Sequence, residues 1–283
     1  MTPRVQLHLM QVGHCRHCER IANQQGRWKM VQFPALAALI IHPQIGPILF
    51  DTGYAEHFHH ATQSFPERLY RWATPIQLPA EQTLARQLLQ RGYQLSEIRY
   101  CLISHLHADH IAGLRDLPQA RFIAMRDEVQ SVLRPRSRFD LTHHGLLPGL
   151  LPDDFQARLT FAESCPGSEL AAPWQAFGQG FDLFGDGSVL ALRLPGHSAG
   201  QMGIVVRDQS DRQVLLCADA CWSRAAWQQA SMPSRLTRLL MHDWQQYQQT
   251  LLQLRQLGSQ HPEIAILPSH CELSWHTYRE KTA

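Results

Sequence analysis

Ser104-His105-Leu106-His107-Ala108-Asp109-His110 is the stretch on which the reading of this chain turns. Four ligand-type side chains fall within residues 105–110, directly behind Tyr100–Ser104, which reads as a short buried strand. A loop at a strand end that wraps around metal accounts for that density; the plain alternative is a polar helix start with coincidental histidines. If strand geometry persists briefly, His105 and His107 point the same way, and Asp109 and His110 turn toward a neighbouring position. A zinc ion takes about three or four protein ligands, so the run supplies part of two such sets.

Working outward, three more ligand-type residues follow apolar strands. His197 comes after Val189–Leu194, within Leu194-Pro195-Gly196-His197-Ser198-Ala199-Gly200. Asp219 ends Val214–Ala218, and His270 follows Ile264–Leu267. Loops beyond the C-terminal ends of strands are where active sites gather in open sheets. The inventory becomes five His and two Asp, which fits two ions sharing a bridging carboxylate.

The rest of the pattern alternates strands and helices. Val5, Leu7 and Leu9 alternate with polar or longer neighbours, and Ala35–His42 and Pro47–Asp51 flank a Gln-Ile-Gly hairpin turn. Helices are expected over Glu81–Arg91, stopped by Gly92, over Arg126–Leu133, and over Asp243–Leu257, closed by Gly258. Arg121–Met125 and Gly203–Arg207 read as further strands. Two irregular segments stand apart: 54–79, carrying Phe58 and Phe65 among histidines, and 134–180, with five prolines. The first is either a packed surface excursion or an aromatic lid over a pocket; the second reads as a partly helical insertion, a further lid-like candidate for shaping the pocket. Two strand-rich halves, each followed by helix, predict an α/β fold of two sheets packed face to face with helices outside, in one domain over 1–283.

Bulk composition narrows the function. With 26 basic against 24 acidic residues, nothing advertises nucleic acid or an anionic membrane as partner. The longest apolar run, Phe33–Ile41, is too short to span a bilayer. The odd count of seven cysteines points to reduced thiols in a cytoplasmic protein. A small-molecule substrate is the expected partner, and a homodimer is left open.

In these motifs the chain resembles the metallo-β-lactamase superfamily, from Phe50-Asp51-Thr52-Gly53 through His105–His110 to Gly196-His197, Asp219 and His270. Within it, Pro195-Gly196-His197-Ser198-Ala199-Gly200 and the 22-residue step from His197 to Asp219 look most like the N-acyl homoserine lactone lactonases. The resemblance implies a four-layer αβ/βα sandwich and two divalent ions, zinc first, with iron, manganese or cobalt also accommodated. It implies His105, His107 and His197 on the first metal, Asp109, His110 and His270 on the second, and Asp219 bridging both. Such a pair lowers the pKa of a shared water, so that hydroxide attacks a polarised carbonyl. Asp109 ligates and is placed to carry a proton to the leaving group. Asp51 either ties a ligand histidine in place or caps the turn before Gly53. Lactonases of this type carry a tyrosine three residues after the bridging aspartate. Here Trp222 stands there, and an indole donates a hydrogen bond without serving as an acid.

The leading expectation is therefore a dinuclear hydrolase of an ester-type bond, a lactone first, with Trp222, Phe58 and Phe65 as candidate substrate contacts. Two alternatives are kept: a thioester hydrolase of glyoxalase II type, and a non-catalytic metal-bound regulator. His14-Cys15-Arg16-His17-Cys18 resembles half a zinc knuckle, but no second pair lies at usable spacing.

Overall fold

The computed structural model describes residues 2–229 and 231–282. Backbone contacts divide the chain into two compact units. The N-terminal unit comprises Leu7–His17 and Val31–Thr160, and the C-terminal unit the remainder.

Seven strands form one mixed sheet: β1 (Gln6–Cys18), β2 (Met30–His42), β3 (Gly46–Phe50), β4 (Ile76–Gln77), β5 (Tyr100–Leu102), β6 (Arg121–Ala124) and β7 (Leu159–Phe161). Their order is β4-β1-β2-β3-β5-β6-β7. The β2–β3 hairpin pairs Leu39 with Leu49 and closes at Gly46, whose φ of +92° suits a residue without Cβ. Strands β3, β5 and β6 run parallel. Their apolar side chains, among them Ile48, Leu49, Leu102 and Phe122, are buried, as strands of parallel sheets are. Because β3 and β5 are parallel neighbours, the residues following each, Asp51 and the 104–110 loop, emerge at the same end.

Six strands form the second sheet: β8 (Gly167–Glu169), β9 (Gln179–Asp182), β10 (Val189–Arg193), β11 (Met202–Arg207), β12 (Gln213–Ala218) and β13 (Ala265–Pro268). The order is β13-β12-β11-β10-β9-β8. Strand β11 is antiparallel to both β10 and β12, and β13 is parallel to β12. Strands β10, β12 and β13 therefore share a direction, and the residues after their C-terminal ends, His197, Asp219 and His270, leave one end of the sheet. Helices pack beside both sheets, Phe155–Arg158 against β6, and Arg224–Gln229 and Glu272–Thr282 against β13. Two mixed sheets with flanking helices agree with the expected α/β sandwich class.

The helix Trp244–Gln260 begins at Asp243, whose carboxylate accepts from the backbone N–H of Gln245 and Gln246. It buries Tyr247, Leu251, Leu254 and Leu257 on one face. Gly258 does not stop it; the helix runs on to Gln260. A Cβ there would lie 2.3 Å from the Trp227 ring, so this glycine serves close packing rather than termination. The helix expected over Glu81–Arg91 is a 3-10 turn, Ala80–Gln82, followed by a shorter helix, Leu84–Leu89. The two part at Thr83, whose ψ of 143° is extended. The His14–Cys18 run lies within β1, where His14 Nε2 pairs with Gln77 Oε1 at 3.0 Å, so it is strand rather than knuckle. Every cysteine is a free thiol. No helix among the described residues is long and apolar enough to cross a membrane.

The irregular 54–79 segment contains two short helices, His57–Ala61 and Glu67–Ala73. Helix Arg138–His143 is tied to the second of them: Arg138 donates to Glu67 through Nε at 2.9 Å and Nη2 at 2.6 Å. Those bonds hold the Glu67 carboxyl below its usual range. A lowered carboxyl pKa stabilises above the unfolded value, about 4.3, and the contribution is lost as pH falls through the lower folded value. Amide exchange in Glu67–Ala73 and Arg138–His143 is expected to be steady from about pH 7 to 5, after correction for intrinsic rates, and to quicken below about pH 4. Unchanged protection there would show that the pair does not hold these helices.

Candidate functional site

The N-terminal unit presents His105, His107, Asp109 and His110 on the loop after β5 and the short helix Ala108–Ile111. His105 Nε2 lies 3.1 Å from His107 Nδ1, and His110 Nε2 lies 3.4 Å from Asp109 Oδ2. The His105 and His110 rings lie with centroids 4.0 Å apart, tilted by 48°. All but His107 are buried.

Asp51 organises this cluster from behind. Its φ of +59° is unusual for a side-chain-bearing residue and turns the chain sharply after β3. Its Oδ2 accepts from Ser104 Oγ at 2.7 Å and pairs with His110 Nδ1 at 2.7 Å, and its Oδ1 accepts from the Ser104 N–H at 2.8 Å. Burial pushes the Asp51 carboxyl above its usual range, opposed by His110 and Ser104. Holding Nδ1 of His110 leaves Nε2 to face Asp109, the orientation a carboxylate–histidine pair imposes on a ligand. Ser104 Oγ also lies 3.0 Å from His105 Nδ1, turning that ring's Nε2 toward His107.

Asp51→Ala is expected to cost about 3 kcal/mol of stability, because several buried groups lose their partner, and to weaken metal retention about 10–100-fold. Urea denaturation and metal content after dialysis measure both. Stability lost with metal retained would assign Asp51 to the turn alone.

The C-terminal unit brings together His197, Asp219, Trp222 and His270. Asp219 Oδ2 lies 3.2 Å from His270 Nε2 and 3.4 Å from His197 Nε2. Trp222 Nε1 donates to the same oxygen at 2.9 Å, and its ring stands edge-on to His197 with centroids 5.7 Å apart. His197 Nδ1 faces Met241 Sδ at 3.3 Å, which leaves Nε2 toward Asp219. Asp219 follows Ala218, whose φ is +47°. The backbone of Gly196 and Pro195 is held by the long helix: Gly196 O accepts from Asp243 N–H at 2.9 Å, and Pro195 O from Thr250 Oγ1 at 2.7 Å.

Buried or half-buried imidazole nitrogens and carboxylate oxygens, with the His105, His110 and His197 rings each turned by a partner on Nδ1, are the donor set a divalent zinc-class ion takes. Both clusters fit such an ion on that ground.

Of the candidate substrate contacts, Phe58 is fully buried, edge-to-face with Tyr54 and Tyr70, and is a core residue of its unit. Phe65 is exposed and rests edge-on against Phe139. Residues not singled out in the sequence also matter. Ser104 connects Asp51 to both histidines. Glu128, buried, accepts from the Leu106 N–H at 2.8 Å and steadies the loop between His105 and His107. Tyr70 and His107 both approach Gly145: a Cβ there would lie 3.4 Å from Tyr70 Cε2 and 3.2 Å from His107 Cδ2. Only the position of Ser104, immediately before the motif, offered a signal; Glu128 and Tyr70 lie on separate helices.

Comparison with known proteins places these features in context. The model of the metallo-beta-lactamase superfamily matches residues 33–259. The N-acyl homoserine lactonase AttM of Agrobacterium fabrum is 25% identical over 237 residues, 82% of each chain. An N-acyl homoserine lactonase of Bacillus thuringiensis is 24% identical over 196 residues, 69% of this chain and 67% of its own. Among solved structures, an N-acyl homoserine lactone hydrolase holding N-hexanoyl-L-homoserine at its catalytic metal centre superposes with a TM-score of 0.70 at 19% identity. That match covers 100% of this chain and 97% of the other, a likeness of fold. With its strands, its His105–His110 loop and its His197, Asp219 and His270 in this order, the chain belongs to the metallo-β-lactamase superfamily.

Proposed function

We propose that the two clusters act together as a dinuclear metal site that hydrolyses a lactone of the acyl homoserine type. His105, His107 and His197 would hold one divalent ion, Asp109, His110 and His270 the other, and Asp219 would bridge them. The observation that carries the reading is the pair of buried His/Asp clusters with outer partners already set, above all Asp51 on His110. Similarity to AttM supports the lactone as substrate class.

When bound, two such ions lower the pKa of water and polarise a carbonyl. The protein's own groups would do the rest. Asp51 and Ser104 keep the His105 and His110 rings in the orientation binding needs. Asp109 accepts the proton of the attacking water and returns it to the leaving alkoxide, so the ring-opened acid leaves with a free hydroxyl. Trp222 holds Asp219 by its indole N–H, the role left to a residue that cannot donate a proton to the leaving group. Tyr70, whose ring like that of His107 approaches Gly145, is the candidate for the phenol that position 222 lacks.

The test pairs metal content with turnover on an acyl homoserine lactone series, beside thioesters and phosphodiesters. About two ions per chain with lactone turnover supports the reading. Two ions with thioester turnover alone would move it to the glyoxalase II class. Fewer than one ion and no turnover after reconstitution would leave a binding protein.

A further inference from the structure

On the helix Glu67–Ala73, the Tyr70 ring stands edge-to-face with Phe58. Arg68 and Trp72 stand two residues to either side of it, about 200° around the helix, and so face away. There they border a cleft of about 660 Å³ that lies wholly within the N-terminal unit.

The chemistry of this cleft is one-sided. Arg68, Arg71 and His59 line it, and no carboxylate does among the described residues. Arg68 is fixed in orientation by its hold on the Gln63 carbonyl through Nε and Nη2. Arg71 makes no hydrogen bond or ion pair among the described residues, so its guanidinium is uncompensated. His59 Nδ1 is buried and has no hydrogen-bond partner among them. Trp72 is 68% exposed, and Pro75 and Ile76 complete an apolar side.

We propose that this cleft binds a small anion carrying a planar ring, of the nucleoside monophosphate class. A guanidinium presents planar, paired donors that match phosphate oxygens, so Arg71, with Arg68 beside it, takes the anionic end. The Trp72 indole, open to solvent, offers a face on which a base stacks. A bare inorganic anion would leave the indole and the Pro75–Ile76 side unused, and a neutral ring would leave Arg71 uncompensated. The ligand must therefore carry both. The proposal does not depend on the hydrolase reading, because none of these residues is a proposed metal ligand.

Calorimetric titration of AMP, adenosine and inorganic phosphate into the metal-loaded full chain tests it. AMP is expected to bind one site per chain with a Kd at or below about 1 mM. Adenosine and phosphate alone are each expected to bind at least about tenfold more weakly. Arg71→Ala and Trp72→Ala are each expected to raise the Kd for AMP about tenfold or more, while Trp72→Phe, which keeps a ring, retains binding. Both residues lie at the surface, so the fold should survive, as circular dichroism would verify. AMP binding unchanged in both Arg71→Ala and Trp72→Ala would place the phosphate elsewhere, the His/Asp clusters included, and overturn the proposal. So would the absence of any AMP binding up to about 10 mM.

Discussion

Asp219→Ala is expected to strip both metal ions from the protein and to lower lactone turnover by about 10³-fold or more. The size follows from the several kcal/mol of transition-state stabilisation such ions supply, at about 1.4 kcal/mol per decade of rate. Asp219 Oδ2 is the atom toward which His197 Nε2, His270 Nε2 and the Trp222 N–H all point, at 3.4, 3.2 and 2.9 Å. In the proposed ligand set His197 serves one ion and His270 the other, so the carboxylate between them is shared. His107→Ala removes a ligand from one ion only and is expected to leave about one metal per chain. Metal analysis after dialysis separates the two variants. Two ions retained in Asp219→Ala would refute the bridging assignment, and one ion retained would reduce Asp219 to an ordinary ligand.

Gly196→Ala is expected to destabilise the protein by about 4 kcal/mol or more, at the upper end for a single substitution. Gly196 has φ +125°, and a Cβ there would sit 2.1 Å from the backbone nitrogen of Tyr247 and 2.4 Å from its Cα. The obstacle is the backbone of the long helix, not a side chain that can swing away. The contact also matters to the site, because this close approach lets Gly196 O accept from Asp243 N–H and sets His197 beside Asp219. Gly46→Ala is the comparison: its φ is +92°, yet nothing lies within 4 Å of the added carbon. It should cost only the backbone penalty, about 1–2 kcal/mol. Urea denaturation of both variants checks the difference. Equal losses would show that the helix gives way and that conformation alone governs Gly196.

Local pattern made much of this protein legible without coordinates. Strands β5, β6 and β10 to β13 announce themselves as short apolar runs, and the helix Trp244–Gln260 by its three- and four-residue spacing. The ligand-type residues stand out because chemistry needs particular side chains just past strand ends, and His105–His110, His197, Asp219 and His270 obey that locally. What the sequence withheld was every role assigned by a distant partner. Asp51 could have capped a turn or oriented a histidine; that it reaches His110, across 59 residues, is a contact no local pattern announces. Trp222 is expected near substrate, and only the fold shows that its indole N–H donates to Asp219. Phe58 looked like a lid aromatic and is core. Gly258 had the local signature of a helix stop, but the Trp227 ring packed against it decides otherwise, since glycine at a helix surface also permits close approach. Periodicity and residue type act over a few residues and survive in one dimension, whereas hydrogen-bond partners and steric fit depend on which distant segments the fold brings into contact.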